Sequence, residues 1–286
     1  MLKIALTYPI FSRIESYPII HVKRTTDTTF HSIENFFSHR QDIQINNNEL
    51  MYYPPYTKYV RNYLYNETYA LGHSSKSSEY SSNFTSDLLY IINNKIESRT
   101  SKNAFLKQTV LWHFYRKSSC DVNEKPFKIF FDLSTNDKDI TQLKKLLKDT
   151  KKLQKNKKLP NFHICNINGE KQHSKKLLRK RKSLIFFWNP KYVSEEYIAA
   201  RINYLQIKYP KVHFITVKID GNKNEIIPNL DVKNQFFIET NNEFNQFLTS
   251  KMPRSILINE KGIISNGYAS ISSRKLNDQL YEFSKY

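Results

Sequence analysis

Lys182-Ser-Leu-Ile-Phe-Phe-Trp-Asn-Pro-Lys-Tyr-Val-Ser-Glu-Glu196 decides how this chain folds. Leu184 to Trp188 contains no polar residue, which fits a strand covered on both faces rather than one with a wet side. Such a strand belongs at the centre of a sheet. Asn189 to Val193 then forms a polar turn, and Ser194 before Glu195 and Glu196 has the chemistry of an N-cap and an acidic first helical turn. Ile198, Ile202 and Leu205 recur behind it at helical spacing, up to a stop at Tyr209-Pro210. A buried strand therefore feeds a helix through five residues. Val212 to Asp220 follows as a second strand, parallel to the first if the helix is a crossover.

Working outward, Phe162 to Lys171 reads as a hairpin, because Asn168-Gly169 between apolar residues favours a tight turn with positive φ at both positions. Cys165 falls inside that hairpin, as a small buried hydrophobe. Gly221 to Asn245 is polar and irregular, with Phe236, Phe237, Ile238, Phe244 and Phe247 as local anchors. Met252-Pro253 leads a further strand over Ile256 to Asn259, antiparallel to the central one, and Glu260-Lys261-Gly262 turns it into another. Ser272 or Ser273 can cap a last helix that buries Leu276, Leu280 and Phe283.

The succession of apolar strand, Phe187-Trp188, short turn and helix resembles the thioredoxin-like superfamily. It is closest in pattern to the TlpA-type (AhpC/TSA-related) envelope thiol-disulfide reductases of Bacteroidetes-like bacteria. Those proteins carry C-x-x-C between turn and helix. Here the tightest alignment puts Tyr192 and Glu195 in the two cysteine slots, with a shift of two residues left open, so the motif is lacking. The hairpin and Met252-Pro253 extend the resemblance over 159 to 286, and more weakly over 17 to 157. It implies an α/β thioredoxin-like C-terminal domain, residues 158–286, with a mixed central sheet flanked by helices. It also implies a cis bond between Met252 and Pro253, facing the turn and leaving the preceding backbone free to pair with an extended peptide.

Residues 1–157 read as a mainly α-helical N-terminal domain. No period persists over the first 50 residues, although Tyr17 to Ile20 and Phe30 to Phe37 hold enough apolar and aromatic side chains to pack. Tyr56, Tyr59, Val60, Tyr63 and Leu64 then make a helical stripe after Pro54-Pro55, expected to pack in a core. Leu88, Leu89, Ile92 and Ile96 make a second, Phe105 to Tyr115 a third, and Ile140, Leu143, Leu146 and Leu147 a fourth. His73 to Ser86 reads as an exposed linker, and the cationic run Lys151 to Lys158 as the junction between domains.

Composition limits the chemistry. The chain has 286 residues, a net charge of +19 and two cysteines, Cys120 and Cys165. Two cysteines so far apart make no redox motif, zinc site or disulfide framework, and no metal or cofactor is expected. Dithiol exchange needs a thiolate at a helix N-terminus and a second thiol beside it, and Ser194 at that place cannot form a sulfenic acid. The leading expectation is a redox-inactive thioredoxin-like protein that binds an extended polypeptide or serves as a structural or interaction module. Its degenerate site would comprise Trp188, Asn189, Pro190, Tyr192, Val193, Ser194 and Glu195, with Met252 and Pro253 opposite, and a peptide would touch Trp188, Tyr192, Met252 and Pro253. One alternative is an oxidoreductase or peroxidase-type protein using a lone or partner-supplied cysteine. Another is binding of an anionic polymer such as nucleic acid through the basic surface from Lys144 to Lys182, although Leu177 to Lys182, the densest basic cluster, also fits a solvated turn and no recognition motif accompanies it.

The family resemblance implies a periplasmic or envelope location. By itself the sequence defaults to cytosolic, since Ile4 to Phe11 imitates a signal peptide only faintly and no run reaches the length of a membrane span. The resemblance also implies a signal or further domain ahead of this start, so the chain reads as a mature fragment.

Overall fold

The protein is seen as a computed structural model that describes residues 2–24, 34–74, 81–119, 121–239 and 247–285. Cys120, Phe30, Phe244 and residues 75–80 of the Ser-rich linker lie outside the described residues. The chain divides into two compact units, residues 1–113 with 123–140 and residues 114–122 with 141–286. This division differs from the junction expected at 157/158. Residues 141–157 go with the sheet because Leu153 belongs to the sheet's apolar core and Asp149 pairs with Arg254 at the start of a strand.

The first unit is helical. Among the described residues it contains α1 (Leu2–Arg24), α2 (Pro54–Tyr69), α3 (Ser82–Lys95), most of α4 (Arg99–Lys117), α5 (Lys125–Leu133) and the first turn of α6 (Asp137–Lys152). α1 runs through Pro9 and Pro18, two residues that normally break a helix and that hid it from a reading of periods. It is held by Glu15, a fully buried carboxylate that accepts from Arg40 Nε at 2.7 Å, Arg40 Nη2 at 2.8 Å and Asn66 Nδ2 at 2.6 Å. Removing any of those donors would leave a buried charge short of partners, which is far costlier than the pair is stabilising. The tyrosine stripe of α2 packs as core, with Tyr56, Tyr59 and Val60 at 0% exposure.

The second unit is built on a mixed sheet. Its elements are β1 (His163–Asn166), β2 (Lys171–His173), α7 (Ser174–Leu178), β3 (Ser183–Trp188), α8 (Glu195–Lys208), β4 (His213–Ile219), β5 (Gln235–Ile238), β6 (Arg254–Ile258), β7 (Ile264–Ala269) and α9 (Lys275–Lys285). The strand order is β2-β1-β5-β4-β3-β6-β7. All six residues of β3 are buried, as a strand without polar alternation requires. It lies between β4, parallel from Ser183↔His213 to Trp188↔Lys218, and β6, antiparallel from Ser183↔Ile258 to Phe187↔Arg254. β3's alternating side chains supply both cores: Ile185 and Phe187 face one, and Leu184, Phe186 and Trp188 face the other with Ile198, Ile202 and Leu205 of α8. This is the expected α/β thioredoxin-like arrangement, a mixed sheet flanked by helices and preceded by a helical region.

Four local expectations are corrected. Ser82 to Ser86, read as the end of an exposed linker, begin α3, with Phe84, Thr85 and Ser86 buried. Gln235–Ile238, read as an anchor in an irregular loop, is a strand paired in parallel with β4; four buried residues between polar loops carry no period to detect. In the β1–β2 hairpin only Gly169 has positive φ, +88°, because Asn166 Oδ1 accepts from the amides of Asn168 and Glu170 at 3.1 and 2.9 Å and holds a wider loop. There is no cis peptide bond among the described residues, so Met252-Pro253 is trans. That is the ordinary state of an X-Pro bond, and the Met252 amide is satisfied locally, donating to Ser250 Oγ at 3.2 Å.

Candidate functional site

The turn after β3 is built by Asn189. Its Oδ1 accepts from the Lys191 amide at 3.1 Å, its carbonyl accepts from the Tyr192 amide at 3.0 Å, and its Nδ2 donates to the Ile219 carbonyl at 3.0 Å. The first two close the turn, with Pro190 exposed at its tip, and the third ties it to the end of the neighbouring strand. Ser194 is the N-cap of α8, its Oγ accepting from the Tyr197 amide at 3.3 Å. The Glu196 carboxyl is held below its usual range by hydrogen bonds to its own backbone amide and to Ser194. The helix therefore begins at Glu195, and Tyr192 stands two residues before its cap. Of the two cysteine slots in the tightest alignment, only the second is helical. The shifted alternative would put its first slot on Ser194, at the cap, where free N–H groups stabilise a negative charge.

Apart from the exposed Pro190 and Lys191, the side chains around this turn are engaged within the unit. Trp188 is 2% exposed, and Lys218 lies over its ring at 5.1 Å while bridging Glu195 at 3.4 Å and Glu225 at 3.3 Å. Val193 packs against the core under α8. Tyr192 Oη accepts from Gln142 Nε2 of α6. Met252 is 2% exposed and Pro253 half-buried. One residue beyond the last ladder pair of β3 and β6, Phe187 with Arg254, stand Trp188 and Pro253. The structure thus brings the turn and the Met252-Pro253 segment to the same end of the sheet, but not as an open face.

What fills that end was not anticipated. Arg254, the first residue of β6, and Asp149 of α6 are both 0% exposed and pair at 2.8 Å. The carboxylate of Asp149 also accepts from the Thr249 amide at 2.9 Å, Thr249 Oγ1 at 2.6 Å and the Ser250 amide at 2.9 Å. The guanidinium donates to the carbonyls of Phe247 and Ser250 and lies 5.1 Å from the centre of the Tyr268 ring. Phe114 packs edge-on against Tyr268 at 4.4 Å. Burial pushes the Tyr268 and Tyr115 phenols well above the ordinary tyrosine range. Both carboxylate oxygens and both terminal guanidinium nitrogens are engaged, while Arg254 Nε finds no hydrogen-bond partner among the described residues; such a buried ion pair fixes geometry even where its net stabilisation is small. Two sequence signals existed for it: an arginine directly after Pro253 at the head of a largely apolar strand, and Asp149, the one acid in the lysine-rich second half of α6.

Cys165 lies elsewhere. It is in β1, with β5 and β4 between it and β3, a lateral separation of roughly 14 Å at the usual strand spacing. It is 8% exposed, and its thiol is raised by burial and by Glu239, with Lys171 opposing. Of the other sequence candidates, His213 Nε2 is 2.8 Å from Asn234 Oδ1, and the His163 and His173 rings pack edge to face at 4.8 Å. Among the described residues no group of three His, Cys, Asp or Glu could hold a metal ion, and no helix is long and apolar enough to cross a membrane.

The chain matches no family model and no curated protein. Solved structures do align with it. A proposed thiol-disulfide oxidoreductase from Bacteroides vulgatus is 23% identical, with 43% of this chain and 85% of that one covered and a TM-score of 0.37. The C-terminal domain of a proposed thiol-disulfide oxidoreductase from Bacteroides thetaiotaomicron is 20% identical, covering 47% and 98%, with a TM-score of 0.38. The thioredoxin domain of a thiol-disulfide oxidoreductase from Bacteroides vulgatus is 16% identical, covering 46% and 99%, with a TM-score of 0.36. Values this low transfer no residue role and no activity, and strand order and register carry the assignment of a thioredoxin-like fold.

Proposed function

We propose that this chain is a redox-inactive thioredoxin-like protein acting as a structural or interaction module, in which the groove used by catalytic relatives is filled from within. The observation that carries this is the Asp149–Arg254 pair, buried at the start of β6, together with Tyr192 and Glu195 in the slots where a dithiol would stand. Without a thiolate at the start of α8 the reaction loses its nucleophile altogether, rather than a fraction of its rate. The extended-peptide form of this reading draws little support: the Met252 amide, which would have to meet a peptide, donates to Ser250 Oγ, and its bond to Pro253 is trans. A lone-cysteine oxidoreductase would have to work through Cys165, whose thiol is buried and raised, or through Cys120. A periplasmic or envelope location belongs to the same proposal and rests on the family resemblance.

The test is turnover of the purified protein in insulin reduction and in peroxide reduction. The expected result in both is no more activity than the Cys120→Ser, Cys165→Ser double variant shows. Activity clearly above that variant would defeat the proposal.

A further inference from the structure

At the end of the sheet opposite the turn, the structure leaves two basic clefts side by side, of about 640 and 760 Å³. Both volumes are in the range of small-molecule sites. The first lies where β3 and β4 begin and where α8 and α9 end. The second lies along β2 and α7. Lys180 and Arg181 line both, and each cleft adds three more cations: Lys182, Lys211 and Lys285 in the first, Lys171, Lys176 and Arg179 in the second. Eight cations thus face two carboxylates, Glu260 and Glu170. Only Lys182, 3.7 Å from Glu260, and Lys285, 2.8 Å from Glu282, form ion pairs with a described residue. The sequence concentrates the charge in the same place: seven of the twelve residues from Lys171 to Lys182 are lysine or arginine and none is acidic.

Local backbone adds a second observation. Arg181 N–H donates to the Leu178 carbonyl at 3.3 Å, and the turn this makes holds Lys180 at φ +55°. A lysine pays about 1 kcal/mol or more in that conformation, where glycine would not. The chain thus keeps a cation, under strain, at the position the two clefts share.

The lining also says what kind of anion fits. The only Phe, Tyr or Trp in either cleft is Phe214, 1% exposed, so there is no platform on which bases could stack. Its apolar residues are few, and Val212 is 5% exposed, so an acidic peptide finds little to anchor its side chains. What remains is recognition by charge: ammonium groups acting as point charges and guanidinium groups able to grip a phosphate with two parallel bonds. We infer that the paired clefts form a binding site for a small polyphosphorylated anion that spans Lys180 and Arg181.

The experiment is titration calorimetry on the full chain at fixed low salt, with inorganic tripolyphosphate, inorganic phosphate and a short single-stranded oligonucleotide as probes. Tripolyphosphate should bind at least about tenfold more tightly than phosphate, because several cations neutralise it at once. Lys180→Gln with Arg181→Gln should weaken it by about tenfold or more. Lys148→Gln with Lys155→Gln, which removes the same charge from exposed positions outside the clefts, should leave it unchanged. Absence of tripolyphosphate binding, or equal weakening in both double variants, would overturn the site. Tighter binding per phosphate by the oligonucleotide would overturn the choice of ligand in favour of a nucleic-acid surface.

Discussion

The two ends of the sheet in the second unit are opposites. Where β3 runs into its turn, a carboxylate and a guanidinium at 0% exposure meet among Phe114, Tyr268 and the backbone of Phe247 to Ser250. Where β3 begins, cations crowd around open clefts and most of them have no acidic partner among the described residues. In a thioredoxin-like sheet the first end is where chemistry would be sought, and here it is packed like a core. The second end carries no motif, yet it is where the fold leaves charge unneutralised. The difference teaches that one sheet can bury a charge pair at one end and leave its charge exposed at the other, so recognition by charge is to be sought at the open end.

The sharpest way to break this comparison is at the closed end. Asp149→Ala strands the Arg254 charge in a dry site and should cost about 3–5 kcal/mol in urea unfolding. Asp149→Leu with Arg254→Met should cost much less than Asp149→Ala alone, since it removes both charges and keeps apolar volume. A loss below about 1 kcal/mol for Asp149→Ala would mean that the pair is no lock.

A smaller effect distinguishes the two alignments of the turn. A thiol introduced by Ser194→Cys sits at the α8 cap, facing free N–H groups, and should alkylate with an apparent pKa about one unit below that of Tyr192→Cys, which lies before the helix. Equal titration would show that the dipole of α8 no longer governs this position, and with it the scaffold's use for redox chemistry.

At the open end the expected sign reverses. Lys180→Gly relieves a left-handed lysine and should stabilise the protein by about 0.5 kcal/mol, the relief of strain exceeding the entropy of the added glycine. It should also weaken tripolyphosphate binding. Destabilisation would show that Lys180 is held by packing and not merely tolerated for its charge.

The smallest effect is a pH dependence at His213, which lines the first cleft. Burial chiefly lowers its pKa and the nearby Arg181 adds to this, while Asn234 and Asp231 oppose. The folded state therefore refuses a proton that the unfolded chain accepts near pH 6.5, so stability is full above that pH and is lost as pH falls below it. His213→Gln should flatten this part of the stability profile, and an unchanged slope would assign it to other groups.

Much of this architecture could be read from local pattern. The apolar run Leu184 to Trp188, the Ser194 cap, the crossover into Val212 and the proline-led strand all depend on residues a few positions apart, and each stands where its chemistry puts it. The sequence could not show α1, because two prolines mask its period, nor β5, because four buried residues have none. The burial of the Asp149–Arg254 pair was equally hidden. Asp149 and Arg254 are 105 positions apart, and in sequence each looks like one more charge on a basic chain. Only chain packing removes water from both and makes them partners, because the cost of burying a charge, and hence the need for a counter-charge, arises only once the interior exists.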